Sequence, residues 1–169
     1  MEYRILGVCL VIIACSAFGF RMSSDIRREI NQMNDLINIL NYMECELNFR
    51  LTPLPQLCRI SAKQGKSLEK LFHCFANELD AQISIDASCC MNAAIRKITV
   101  QPISVESLLK NLGASFGKFD LEGQLNGIDS VRQKATNQLQ ELERNKDTRM
   151  RNYQTLGMCA GTALAILLF

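Results

Sequence analysis

The residues best equipped for chemistry in this chain are a single histidine, His73, and eight cysteines. If His73, Cys74 and the adjacent Cys89 and Cys90 converged, imidazole and thiolate would offer zinc or iron a ligand set, or a thiol redox pair. The spacing does not support this. There is no C-x-x-C pair, and His73 and Cys74 are neighbours that a helix turns in different directions. Cys9, Cys15 and Cys159 lie in apolar runs, and Cys45, Cys58, Cys74, Cys89 and Cys90 are scattered. They read as small buried hydrophobes. One histidine leaves little acid–base capacity near neutral pH, and no Ser–His–Asp or Cys–His arrangement is present. The expectation is a protein that is not an enzyme and carries no metal or cofactor.

Among the acids, Glu44 and Glu46 are two positions apart and do not share a helix face. They read as a contact for a partner, as a polar lock beneath the turn at Pro53, or as ordinary solvated charge. The glycines at 113 and 117 precede Lys118, but the pattern is not G-x-x-x-x-G-K-[ST] and no strand leads into it, so it is a loop and not a phosphate cradle. Net charge is +2, which gives no general footprint for nucleic acid. No small-molecule substrate is implied.

The elements that position these residues are helical throughout. Ile26, Ile30, Met33, Ile37, Leu40 and Leu47 recur at three- and four-residue spacing and predict one long helix over 24–49. Thr52 reads as an N-cap with Pro53 at the first helical position. That helix extends to about Gln64, with Gly65 as its stop and Ser67 capping the next through Leu79. Residues 87–98 form a fourth helix, and Pro102 opens a fifth with Val105, Leu108, Leu109 and Leu112 on its apolar side. Gly113 reads as a C-cap and Asp120 as the N-cap of a last helix, with Glu122 matching its dipole. No Pro or Gly interrupts 128–156.

Two uncharged runs occupy the ends, Ile5–Phe20 and Tyr153–Phe169. They read as short membrane spans, giving a first transmembrane segment over 1–21, a soluble helical bundle over 22–152 and a second span over 153–169. Arg21, Arg27 and Arg28 follow the first run, and Arg144, Lys146, Arg149 and Arg151 precede the second, so the positive-inside rule places the middle domain in the cytoplasm. A cleaved signal peptide is the competing reading of the first run. Gly157 and Gly161 form G-x-x-x-G, a spacing that lets membrane helices approach closely.

Several segments together carry a family resemblance. A long helix ends Met43-Glu44-Cys45-Glu46-Leu47, and Leu51-Thr52-Pro53-Leu54-Pro55-Gln56-Leu57 follows it. Later come Leu112-Gly113, then Asp120-Leu121-Glu122-Gly123-Gln124, then Tyr153-Gln154-Thr155-Leu156-Gly157. Over nearly its whole length the chain resembles the stage III sporulation protein AB family of endospore-forming bacteria. The cysteines and Phe49 are departures from the family's pattern. The resemblance implies an antiparallel helical bundle similar to the cytoplasmic domain of the type II secretion inner-membrane platform protein. It also implies a place in the channel complex between mother cell and forespore, in the mother-cell membrane, with a sporulation ATPase-like protein, other membrane components of that complex and lipid as partners.

The expected fold is therefore an all-α antiparallel bundle flanked by transmembrane helices. The expected function is a non-enzymatic scaffold coupling to an ATPase. A self-assembling membrane spacer, and a metal or thiol protein using His73 and the cysteines, are the alternatives. The residues expected to present or shape a partner surface are Glu44, Glu46, Pro53 and Pro55 around the first turn, and Asp120, Glu122, Gly123 and Gln124 at the start of the last helix. Gly157 and Gly161 are the expected membrane-packing pair.

Overall fold

The computed structural model describes residues 2–50, 52–81, 86–98, 102–116 and 121–168. Among these the protein is all-α, with no residue in a strand. The helices are α1 (Glu2–Arg50), α2 (Leu54–Ser61), α3 (Glu69–Asp80), α4 (Ala87–Lys97), α5 (Ile103–Ser115) and α6 (Leu121–Leu168), with a 3-10 turn over Ala62–Gln64 between α2 and α3. Two compact units divide the chain: Glu29–Gln140, and Met1–Arg28 together with Glu141–Phe169.

The Glu29–Gln140 unit is a helical bundle. Its core is drawn from every helix: Met33, Leu36, Leu40 and Met43 of α1, Leu57 of α2, Phe72 and Phe75 of α3, Met91 of α4, Leu108 and Leu112 of α5, and Ile128 and Ala135 of α6 are all buried. The helical spacing read in the sequence is the reason, because each amphipathic face can remove its apolar surface from water only against another. Phe75 and Phe116 stack with ring centroids 6.4 Å apart, tying α3 to the end of α5.

Glycines set how closely several of these elements pack. A Cβ on Gly113 would sit 2.6 Å from Met91 Cβ, so α5 meets α4 through a residue that has none. Gly127 does the same for α6 against Ser115, at 2.5 Å. Gly113 was expected to cap α5. It lies inside the helix, which continues to Ser115, and its role is close approach.

Three other helix starts fall within about one residue of their expected positions. Helix α4 begins after Asp86, whose carboxylate accepts from the Ser88 amide at 3.1 Å. Pro102 occupies the N-cap of α5. Pro53 is the N-cap of α2, with Leu54 first in the helix and Pro55 in its first turn. The Pro53 carbonyl accepts the Leu57 amide at 2.9 Å. A proline in the first turn costs no intrahelical bond, since those N–H groups have no partner in the helix. Asp120, the expected cap of α6, lies outside the described residues.

The transmembrane expectation is corrected. Among the described residues no helix is long and apolar enough to cross a membrane. The two uncharged runs have 16 and 17 residues. They span about 24–26 Å as helix, against a hydrocarbon core of about 30 Å. They are ends of the 49-residue α1 and the 48-residue α6, which continue as unbroken helix into charged sequence. The spans at 1–21 and 153–169, and with them the placement in the mother-cell membrane with a cytoplasmic middle domain, are set aside. Gly157 and Gly161 fall on α6, but their surroundings lie outside the described residues.

Candidate functional site

The turn from α1 to α2 is fastened by one carboxylate. Glu46 Oε1 accepts from the Tyr42 hydroxyl at 3.0 Å, one helical turn back, and Glu46 Oε2 accepts from the Thr52 hydroxyl at 3.3 Å, beyond the end of α1. Arg50 Nη1 lies 3.9 Å from Glu46 Oε1. The Glu46 side chain is only 13% exposed, so it faces these partners and not solvent. Of the readings open for Glu46, the geometry supports the polar lock. Thr52, expected as a helix cap, stands before Pro53, which is the N-cap of α2, and its hydroxyl supplies the second half of the lock. The hydrogen bond to Glu46 pushes the Tyr42 hydroxyl above its usual titration range, because ionising it would set two anions side by side.

Glu44 points to another element. Its Oε2 lies 3.6 Å from Arg132 Nη2 on α6, and Arg132 also donates to Asp129, one turn back on its own helix, and to Asn41 Oδ1 at 3.4 Å. The bond to Asp129 chiefly holds the Arg132 guanidinium above its usual range, and the Glu44 charge adds to this. Both Glu44 and Arg132 side chains are about one-third exposed. The pair therefore fixes the register of α1 against α6 more than it stabilises, since such ion pairs contribute about 0.2–1 kcal/mol. Arg132, Gln133, Thr136 and Asn137 line an open depression beside this pair.

The structure thus turns Glu44 and Glu46 to different tasks. Pro53 is exposed and Pro55 half-buried at the start of α2. Glu122 is exposed on the first turn of α6, with Gly123 and Gln124 half-buried beside it. Gln124 and Arg132 share α6 and stand about 12 Å apart along its axis.

Sequence reasoning missed Arg132, Asp129, Tyr42 and the role of Thr52. The i,i+3 pair of Asp129 with Arg132 and the i,i+4 pair of Tyr42 with Glu46 were signals available to it. The pairing of Arg132 with Glu44 was not.

The candidates for metal or thiol chemistry do not converge. Among the described residues no group of three His, Cys, Asp or Glu side chains is placed to hold a metal ion. His73 Nε2 lies 3.9 Å from Glu69 on the same helix, with both side chains well exposed. Cys58 is buried, and burial pushes its thiol far up, away from the thiolate that nucleophilic or ligand chemistry requires.

What fold and site define together is an all-helical bundle protein with a fastened corner and a charged seam. A family model described as Stage III sporulation protein AB (spore_III_AB) matches residues 4–169. The Stage III sporulation protein AB of Bacillus subtilis (strain 168) is 24% identical over 170 residues, a match that covers 98% of each chain. No solved structure matches. The chain belongs to the stage III sporulation protein AB family, and its role lies in sporulation.

Proposed function

We propose that this protein serves sporulation as a non-enzymatic assembly component of the channel complex between mother cell and forespore, its helical bundle docking on an ATPase-like partner. The observation that carries the reading is the fastened α1–α2 corner. Glu46 accepts from both Tyr42 and Thr52, which ties the residue before the exposed Pro53 back to α1. Binding to a surface already ordered loses less conformational entropy than ordering one on contact. A corner fixed in this way suits recognition, while the lone histidine, set on the surface beside Glu69, offers little to a reaction.

On this reading Glu122 and Gln124 belong to the presented surface and Glu46 supports it. In a binding assay with the full-length chain and the cognate ATPase-like protein, Glu122→Ala with Gln124→Ala weakens the complex while far-UV circular dichroism stays unchanged. Glu46→Ala weakens it through a loosened corner. Unchanged affinity in both variants removes these residues from the surface.

A further inference from the structure

We propose that the connector between α2 and α3 is a pre-formed basic platform, carried by Lys63, Lys66 and Lys70, that docks an acidic segment of the partner protein; this rests on the docking function above and names the face that performs it. All three lysines are exposed. Two of the acids around them are paired with other cations. Helices α2 and α3 and the turn between them contain three carboxylates: Glu78 pairs with Lys97 of α4, Asp80 with Arg59, and Glu69 stands beside His73. Between Glu29 and Glu44, α1 offers one charged side chain, Asp35. Its Oδ2 accepts both the Ser67 amide, at 2.8 Å, and the Ser67 hydroxyl, at 2.6 Å. No ion pair within the described residues neutralises Lys63, Lys66 or Lys70.

The connector that carries them is held from beneath. Asp35 grips Ser67, which lies between Lys66 and Lys70. Gly65, buried between Lys63 and Lys66, packs so closely on α1 that a Cβ there would come within 2.7 Å of Ile39 Cδ1 and 2.9 Å of the Asp35 carbonyl. The 3-10 turn closes with the Gly65 amide on the Ala62 carbonyl at 3.2 Å. Ser67 was expected to cap α3; its hydroxyl serves this clamp instead. Three exposed cations against the carboxylates of Asp35 and Glu69 leave this short, clamped stretch of backbone net positive, which speeds association with an acidic partner and makes it sensitive to salt. Arg59 is committed to Asp80 and Asn77, so the platform ends at Lys63 on that side.

The test titrates the full-length chain against the cognate ATPase-like protein at low and high sodium chloride. Three variants accompany the wild type: Lys63, Lys66 and Lys70 all changed to Gln, all three changed to Glu, and Ser67→Ala. The wild-type affinity falls with salt. The Gln variant binds about tenfold more weakly at low salt, in keeping with three exposed pairs of modest strength, and the Glu variant does not bind. Circular dichroism is unchanged in both. Ser67→Ala keeps every charge yet weakens binding, because the platform is less firmly held. Equal affinity of the wild type and the Glu variant overturns the platform and leaves the docking function standing. Absence of binding by the wild type itself overturns both. Co-sedimentation with phosphatidylglycerol vesicles that the Glu variant loses, with partner binding intact, overturns it in favour of a lipid surface.

Discussion

Ser67 gives both of its hydrogen-bond donors to one oxygen of Asp35, a residue 32 positions earlier on α1, with the amide at 2.8 Å and the hydroxyl at 2.6 Å. This contact joins the longest helix of the bundle to the connector between two short ones. Hydrogen bonds to a charged acceptor contribute about 1.5–3 kcal/mol each, less where water competes. Asp35→Ala is therefore expected to cost about 1–3 kcal/mol in urea unfolding. Ser67→Ala removes only the hydroxyl bond and costs less. The double variant costs less than the two singles added, because they share one acceptor. Strict additivity would show that the pair does not form in solution.

Gly113→Ala is expected to destabilise, against the ordinary helix trend. Alanine in a helix interior is favoured over glycine by about 1 kcal/mol. Here the new Cβ would meet Met91 Cβ at 2.6 Å and Met91 Cγ at 3.1 Å. Overpacking of this kind costs about 1–3 kcal/mol, so the loss outweighs the gain. A melting temperature that rises in this variant would contradict the close approach of α4 and α5.

Thiol reactivity separates the cysteines by depth. Cys45 and Cys89 are exposed and Cys58 is buried with its thiol pushed up. Iodoacetamide at pH 8, followed by peptide mass spectrometry, is expected to modify Cys45 and Cys89 in the native protein. Cys58 reacts only after unfolding. Early modification of Cys58 would show that the α2 face of the core opens readily.

The Tyr42–Glu46 bond makes stability depend on alkaline pH. The hydroxyl is held above its usual range chiefly by that bond, so the folded chain keeps the proton where the unfolded chain loses it. The contribution is whole below the ordinary tyrosine value, near pH 10. It disappears as pH rises through the higher folded value. The stability difference between the wild type and Tyr42→Phe, from urea unfolding at pH 8 to 11, is expected to shrink across that range. A constant difference would mean that the bond is not made.

Much of this architecture was legible in the sequence, for identifiable reasons. Helical spacing from Ile26 to Leu47 lies along one helix, so it can be read from neighbours. Pro102 before Ile103 is a local start signal, and it falls at the N-cap of α5. Periodicity does not report contacts between distant positions. The Arg132 contact with Glu44 and the Asp35 clamp on Ser67 join residues on separate elements, and no single-chain pattern encodes their partner. Glycine misled for the same reason. At Gly113 the sequence suggests a helix end, whereas the neighbouring helix decides its use. The terminal runs show the limit of composition: absence of charge over 16 or 17 residues satisfies the apolar half of a span and falls short on length.

The most direct test of the docking function mixes the full-length chain with the cognate sporulation ATPase-like protein and reads mass by size-exclusion with light scattering. A complex of defined stoichiometry is expected, stable through the column and weakened by Glu122→Ala with Gln124→Ala. A chain that elutes apart from the ATPase-like protein at every concentration would contradict it.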